Sequence, residues 1–315
     1  MRKKLTTLMI CFMAILTVKG QSTFTLMPQL HVGDTLTYQC KAISTTIFDF
    51  ISEENKEGSD RKFMFIVKGT DDEGNFKVDY VMKDAKLNYN SKNVKDFSFL
   101  KTFIDFYEND MKEKPIHLIV SKDGRLLKEE GTSEIIDAMI DKALPEIKAW
   151  IEKMTKQKIS EDLPKEKMRD QIKDDFLTKF FVEIPDYFKY YGKPLLLGKS
   201  ETVDSMTTTY AVARMDDNSV RLKVTVDMLN GKKEADNSTE ITDLLIGSDE
   251  EDDEEDDEEE TDDIDLGIKI MRYEDYSFLP NGVLKSLSIK MEVTSDDSGK
   301  SDKGIKESYE LSLIQ

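Results

Sequence analysis

The sequence predicts an α+β protein in which two antiparallel β-rich halves flank a central amphipathic helical layer packed on the sheet. Residues 23–130 and 201–314 mostly alternate between apolar and polar, as strands with one buried face do. Between them, from Thr132 to Phe181, the apolar period changes to that of a helix. The predicted organisation is a signal peptide over 1–20, a first β-rich half over 21–131, a helical segment over 132–183 and a second β-rich half over 184–315.

The first twenty residues have the pattern of a secretory signal peptide. Basic residues at 2–4 precede an apolar run at 8–16, which is too short to span a bilayer. Val18 and Gly20 are small enough for the −3 and −1 positions of a cleavage site. Cys11 lacks the small preceding residue of a lipobox. We therefore expect a secreted or periplasmic protein with no transmembrane segment in the mature chain.

The first β-rich half contains five strand patterns and one helix pattern. In the first strand, Leu36, Tyr38 and Cys40 alternate with polar residues, which places Cys40 on a buried face. Asp123-Gly124 predicts a tight turn between the last two strands. The expected strands are 35–43, 61–68, 75–82, 116–120 and 125–129, and the expected helix is 94–111.

The helical segment begins at Thr132 or Ser133, either of which is a good N-cap. Pro145 must break or kink the first helix, so one helix and two short helices both remain open. A further helix follows Pro164. This segment either only packs on the sheet or forms a lid over an apolar cavity. The apolar stripes comprise Ile136, Ile140, Ala143, Ile147, Ile151 and Met154, then Met168, Ile172, Phe176 and Phe180.

The second β-rich half repeats the turn signals of the first. Asp216-Asp217-Asn218 corresponds to Asp71-Asp72-Glu73-Gly74, and Asn281-Gly282 corresponds to Asp123-Gly124. Because these signals come in the same order, the two halves could be a degenerate repeat. The expected strands are 201–215, 219–229, 268–278, 283–293 and 304–314.

The order of these motifs resembles a family of exported proteins. Val32-Gly33-Asp34-Thr35-Leu36-Thr37-Tyr38 opens the first β half after the signal peptide, and Lys122-Asp123-Gly124-Arg125-Leu126 forms a hairpin that leads into helices. This arrangement is similar to a domain of unknown function found in exported β-rich proteins of Bacteroidetes-type Gram-negative anaerobes. The resemblance implies an envelope location, and it supplies no catalytic residue.

The net charge of −19 excludes some partners. Fourteen of the fifteen residues at 249–263 are acidic, and the segment 248–263 is expected to be a disordered loop. An acidic chain of this kind is not expected to bind nucleic acid. The loop could solubilise the protein, or it could bind Ca²⁺ weakly, although it lacks the D-x-D-x-D-G spacing of a specific site. The candidate calcium ligands are Asp249, Glu250, Asp252, Asp253, Asp256 and Asp257.

The sequence shows no catalytic constellation and no cofactor motif. His31 and His117 are isolated, so neither a zinc site nor a Ser-His-Asp triad is expected. Asp105, Glu108 and Asp110 are interpreted as the solvated face of a helix.

These observations favour a non-enzymatic binding or structural module of the envelope. Its expected partner is an apolar small ligand held between sheet and helices, or another envelope protein. The alternatives are a glycan-acting hydrolase that uses paired carboxylates and a protein-binding scaffold. An apolar cavity would favour a carrier of an apolar ligand. An open cleft with two facing carboxylates would favour the hydrolase, and a filled core would favour the scaffold.

Overall fold

The computed structural model describes residues 23–47, 55–88, 98–158, 165–173, 176–196, 200–203, 206–228, 268–295 and 304–314. The signal peptide and the acidic run with its six candidate calcium ligands lie outside these ranges, so the predictions made for them stay predictions.

The described residues form thirteen strands, five α-helices and one π-helical turn. The strands are β1 (Thr23–Thr25), β2 (Thr35–Ile47), β3 (Asn55–Thr70), β4 (Phe76–Asn88), β5 (Pro115–Val120), β6 (Leu126–Glu130), β7 (Pro194–Leu196), β8 (Ser200–Val203), β9 (Met206–Arg214), β10 (Val220–Met228), β11 (Ile268–Phe278), β12 (Leu284–Ser295) and β13 (Gly304–Leu313). The helices are α1 (Ser98–Asp105), the π-helical turn Phe106–Asp110, α2 (Thr132–Thr155), α3 (Lys165–Lys173), α4 (Phe176–Phe180) and α5 (Glu183–Phe188).

Eleven of these strands form one antiparallel sheet in the order β6-β5-β4-β3-β2-β13-β12-β11-β10-β9-β8. The two β-rich halves meet where β2 pairs with β13. The remaining strands, β1 and β7, pair with each other. The expectation of an antiparallel β-rich fold with helices is confirmed. That the helices form one central layer over the sheet stays a prediction.

Three local predictions differ from the structure. The strand expected over 201–215 is the β8–β9 hairpin, which folds back on itself with Val203 paired to Met206. Helix α2 continues through Pro145, whose exposed position lets the carbonyl freed by the missing N–H face water. The β pattern was expected to return at 184, but α5 extends the helical region to Phe188.

One face of the sheet, here called the inner face, carries Tyr38, Cys40 and Ala42 of β2. Side chains two residues apart on a strand share a face, and paired residues on neighbouring strands share it too. The inner face is therefore built of rows that run across the sheet. Successive rows contain Tyr38 with Phe63, then Cys40 with Arg61, Ala85 and Leu311, then Ala42 with Ser59, Leu87, Tyr309 and Ile289.

The sheet is strongly curved, as one side chain that contacts two hairpins far apart in the strand order shows. The β5–β6 and β11–β12 turns are separated by five strand spacings from β5 to β12, which would be roughly 24 Å in a flat sheet. Tyr191 nevertheless packs against Gly124 in the first turn, and its hydroxyl donates to the carbonyl of Gly282 in the second, at 2.9 Å. Pro28 lies against both glycines. We call this end of the sheet the closed end.

The helices contribute to two hydrophobic clusters. The first half of α2, through Ile136 and Ile140, joins the main cluster, together with α4, α5 and the inner face of the sheet. The second half of α2 does not join the main cluster. Ile147 packs with Phe103 of α1 and Met168 of α3 in a smaller cluster. The apolar stripe of α2 is therefore divided between two clusters, and its C-terminal half packs on other helices, so packing of the whole stripe on the sheet is not confirmed.

Candidate functional site: an apolar cavity at the inner face

A cavity of about 480 Å³ lies between the inner face and the helices. This volume falls within the range of small-molecule sites. The cavity forms where large side chains give way to small ones along β2 and β3. The row with Tyr38 and Phe63 is filled by aromatic rings, whereas Ala42 and Ser59, two rows further on, leave space.

The rest of the cavity wall is mostly apolar. The helices contribute mainly aromatic side chains, and the sheet contributes aliphatic side chains together with three serines, Ser44, Ser59 and Ser308. Glu57 and Glu307 line the cavity in the row beyond Ala42. That row lies at the end of the sheet where β2, β10 and β12 finish, opposite the closed end, and we call it the cavity end. The main apolar lining residues are Leu87, Phe103, Phe106, Met139, Phe176 and Ile289.

A buried ion pair lies at the inner side of the cavity. Arg61 of β3 donates from Nη1 to Glu183 Oε2 of α5 at 2.6 Å and to the Tyr107 hydroxyl at 2.9 Å. Its Nη2 lies 3.4 Å from the Cys40 sulfur. The Tyr80 hydroxyl donates to Glu183 Oε1 at 2.6 Å. Both carboxylate oxygens and both terminal guanidinium nitrogens are thus engaged, which is what a buried charge pair requires.

The buried ion pair changes the acidity of its neighbours. Burial alone would favour neutral Arg61, but the adjacent Glu183 carboxylate more than offsets it, and the pKa of Arg61 rises above its usual value. Burial raises the pKa of the Cys40 thiol to about 12, with Arg61 acting in the opposite direction. Cys40 is therefore a protonated core residue, as its strand position predicts.

A second ion-pair cluster joins α5 to the other half of the sheet. Arg272 of β11 donates to Asp186 at 3.0 Å and to Glu274 at 2.5 Å. Glu274 also accepts from Lys189 at 2.6 Å and from the Tyr190 hydroxyl at 2.7 Å. Because Glu183 and Asp186 are three residues apart, they share one side of α5. This short helix therefore binds β3 with one carboxylate and β11 with the other.

The two carboxylates of this second cluster respond to burial differently. Burial raises the pKa of Asp186, even though Arg272 acts to lower it. Burial acts to raise the pKa of Glu274 as well, but the charges of Lys189 and Arg272 outweigh it, and that pKa falls below its usual value. Glu274 forms ion pairs with Lys189 and Arg272 and accepts from Tyr190, whereas Asp186 pairs with Arg272 and is also repelled by the negative charge of Glu274.

Two buried polar atoms at the cavity have no hydrogen-bond partner among the described residues. They are Nε of Arg61 and the hydroxyl of Tyr309. Both residues line the cavity, and both are more than nine-tenths buried. Buried polar groups are nearly always paired, so each unpaired one requires an explanation. No other cavity-lining residue in the described part of the chain has such an atom.

The residues considered from sequence for catalysis lie elsewhere. His117 Nδ1 is 2.7 Å from Asp79, and His31 lies beside Asp34 at the surface. Asp105 and Asp110 both pair with Lys142, and Glu108 accepts from the backbone of Leu87 at 2.6 Å. Among the described residues, no group of three or more His, Cys, Asp or Glu could hold a metal ion.

Sequence reasoning missed the residues that shape this site. Arg61 opens an expected strand, and nothing in the local pattern shows that its charge is buried. Glu183 and Asp186 were taken as the end of the helical segment and the start of the second β half. The one available signal was their spacing of three within a run of aromatic residues, which indicates a buried helical turn.

Comparisons with known proteins leave the function open. No protein-family model matches the chain, and none of the curated proteins matches it. Among solved structures, the chain is similar to one described as "Lipid-protein interactions in lipovitellin", with a TM-score of 0.47 and 12% sequence identity. The match covers 91% of this chain and 26% of the lipovitellin chain. A TM-score below 0.5 carries no argument about function, which is therefore argued from the cavity.

Proposed function

We propose that this protein is an exported, non-enzymatic binding module of the bacterial envelope that holds one apolar small molecule between sheet and helices. The observation that carries the proposal is the cavity of about 480 Å³ beside Ala42 and Ser59. A wall of this composition stabilises an apolar ligand by removing its surface from water. Among the described residues, no helix is long and apolar enough to cross a membrane.

The scaffold and hydrolase alternatives have less support. A protein-binding scaffold needs no internal space, and proteins usually fill their interiors to crystal-like density. A glycosidase needs two carboxylates free to act as acid and as base or nucleophile. Glu57 and Glu307, which line the cavity, lie on strands two spacings apart, roughly 10 Å, which is wider than the carboxylate separation of a glycosidase. Glu183 and Asp186 of α5 are each paired with an arginine. We therefore assign them a structural role.

A fluorescence titration tests the binding part of the proposal. The mature chain, residues 21–315, is titrated with the neutral apolar dye N-phenyl-1-naphthylamine, and apolar competitors are then added. We expect saturable binding near one dye per chain. Ser59→Leu fills the cavity and should abolish it. The matched control is Lys41→Leu, a substitution at an exposed position outside the cavity lining, which should bind normally. Unsaturable binding, or equal binding by both variants, would favour the scaffold.

Export is tested separately by mass spectrometry of the protein recovered from the producing cells. A mature N-terminus at or near Gln21 is expected from the cleavage pattern. An intact Met1 in exported material would contradict the signal peptide, and diacylglycerol on Cys11 would convert the prediction to a lipoprotein.

A further inference from the structure

The two unpaired atoms at the cavity lie on strands either side of β2. Arg61 is directly opposite Cys40, and Tyr309 is directly opposite Ala42. Both side chains therefore project from the inner face of the sheet. Their strands are separated by two spacings, roughly 10 Å. Both side chains approach the same thiol, since Arg61 Nη2 is 3.4 Å from Cys40 and the Tyr309 hydroxyl lies beside it. Sulfur is a weak acceptor for both side chains, so its contact with the Tyr309 hydroxyl leaves that hydroxyl able to donate to a stronger acceptor.

The neighbouring polar groups show that this lack of partners is local. The hydroxyl of Tyr107 accepts from Arg61 and donates to the carbonyl of Phe180 at 2.9 Å. Tyr80 and Tyr190 each donate to a buried glutamate. Arg61 itself has partners on both terminal nitrogens. Among the described residues, one further buried polar atom, Asp227 Oδ1, lacks a partner and lies outside the cavity lining, whereas the other two unpaired atoms belong to side chains of the cavity wall.

The chemistry of the two atoms defines what could satisfy both. The Nε–H of an arginine can only donate, and a tyrosine hydroxyl donates readily. One acceptor atom with two lone pairs can accept a hydrogen bond from each donor, and a carbonyl oxygen is such an atom.

The charges around the cavity favour an uncharged acceptor. Positive Arg61, Arg272 and Lys189 are matched in number by Glu183, Asp186 and Glu274. Besides Arg61, Asp186 and Arg272, the charged residues that line the cavity are Glu57 and Glu307, and both are acidic. A carboxylate ligand would add a buried negative charge, and both described cations of the lining, Arg61 and Arg272, are already paired, so its burial is costly. A neutral carbonyl needs only hydrogen bonds.

We infer that the cavity selects an apolar molecule that carries one uncharged carbonyl group, such as an ester, whose oxygen accepts hydrogen bonds from Arg61 Nε and from the Tyr309 hydroxyl. This inference rests on the proposed function and adds the head group of the ligand to it.

Three probes of matched chain length test the inference by displacement of N-phenyl-1-naphthylamine. They are methyl dodecanoate, sodium dodecanoate and dodecane. We expect methyl dodecanoate to bind about 3- to 30-fold more tightly than dodecane, as one or two neutral hydrogen bonds imply. Dodecanoate should bind more weakly than the ester. Tighter binding of dodecanoate than of the ester would overturn the neutral head group. Equal binding of ester and dodecane would overturn the hydrogen bonds while leaving the apolar site intact.

Tyr309→Phe tests the assigned hydroxyl. It should weaken methyl dodecanoate binding about 3- to 10-fold and leave dodecane binding unchanged. Because the hydroxyl has no oxygen or nitrogen partner among the described residues of the free protein, its removal should leave the melting temperature unchanged or raised. The matched variant Tyr107→Phe loses a hydroxyl with two partners and should melt lower.

Two results of that experiment would count against the inference. Equal weakening of ester and dodecane by Tyr309→Phe would show that the hydroxyl does not contact the head group, and so would a lowered melting temperature with unchanged ester binding. Failure of every probe and of the dye to bind wild-type protein would instead remove the proposed function itself.

Discussion

The closed end and the cavity end of the inner face use the same strands in different ways. At the closed end, Tyr38, Phe65 and Tyr187 pack with ring centroids 4.5–6.1 Å apart, and the Tyr38 hydroxyl donates to the carbonyl of Leu284 at 2.7 Å. At the cavity end, Ala42 and Ser59 leave space. Both ends are parts of one antiparallel sheet, so the backbone does not decide which end is filled.

Side-chain size and hydrogen-bond pairing decide which end of the inner face is filled. The filled end gains burial and ring contacts, which add about 0.5–1.5 kcal/mol per aromatic pair beyond the burial itself. The cavity end forgoes these contacts and leaves two donors without partners. A protein selected only for stability would fill this space, so the contrast is the one that the proposed binding function predicts.

The largest expected effect comes from the ion pair between the two ends. Glu183→Ala would leave Arg61 buried without its counter-charge and should lower the free energy of unfolding by about 3–5 kcal/mol. The control is Glu113→Ala, which removes an exposed partner of Lys83 and should change stability by less than about 1 kcal/mol. Urea unfolding at pH 7 measures both. Similar small losses would show that Arg61 is not buried as a pair.

The closed end is tested by substituting its glycines. Gly282 has φ +76°, and an added Cβ would lie 2.2 Å from the carbonyl oxygen of Met27, so Gly282→Ala must move the backbone. We expect a loss of about 3 kcal/mol or more. Gly33→Ala meets the same φ constraint at +97° but has open space, so its loss should be only about 1–2 kcal/mol. Thermal melting distinguishes the two variants, and equal losses of stability would mean that the close packing of Met27 and Pro28 on Gly282 does not stabilise the closed end.

One substitution made in both environments compares packing directly. Ala85→Leu inserts three carbons into a packed row and should cost about 1–3 kcal/mol. Ala42→Leu inserts the same atoms into the cavity and should be neutral or stabilising by up to about 1 kcal/mol. The second variant should also lose dye binding. A comparable loss of stability in both would indicate that the space beside Ala42 is closed in solution.

The cluster around Arg272 predicts opposite responses to pH. The pKa of Glu274 is lowered on folding, so its stabilising contribution is present above its unfolded pKa and is lost as the pH falls through the folded value. Glu274→Gln should therefore cost about 1–3 kcal/mol at pH 7, and the cost should shrink towards pH 3.

The contribution of Asp186 to stability has the opposite dependence on pH. Its raised pKa makes its contribution fully present below the unfolded pKa and lost as the pH rises through the folded value. Asp186→Asn should then be neutral or slightly stabilising at pH 7. Urea unfolding of both variants at several pH values checks this, and parallel pH profiles would contradict it.

The smallest perturbation is chemical modification of Cys40, which lies between the two ends. With a thiol pKa of about 12, iodoacetamide at pH 8 should label folded protein on the order of a thousandfold more slowly than urea-unfolded protein. Mass spectrometry over time measures the rate. Rapid labelling of the native state would show that solvent reaches the inner face at this row.

Most strands and turns could be predicted because their signals are local. The alternation at Leu36, Tyr38 and Cys40 specifies a half-buried strand whatever its neighbours are, and Asp123-Gly124 specifies a tight turn. Helix α2 was predicted from its period, although not its continuity through Pro145, because an exposed carbonyl opposite a proline is satisfied by water. The hairpin at 203–206 was missed because a long alternating run looks the same whether or not it folds back.

The site was decided by tertiary structure. Arg61 and Glu183 are 122 residues apart, and no local period reports a contact at that separation. Whether Ala42 faces a neighbour or a void depends on how far the helices lie from the sheet, and the ion pairs that join α5 to Arg61 and Arg272 contribute to that distance. Strand patterns arise from the backbone period, whereas a cavity and its unpaired donors arise only when side chains distant in sequence fail to fill a shared volume.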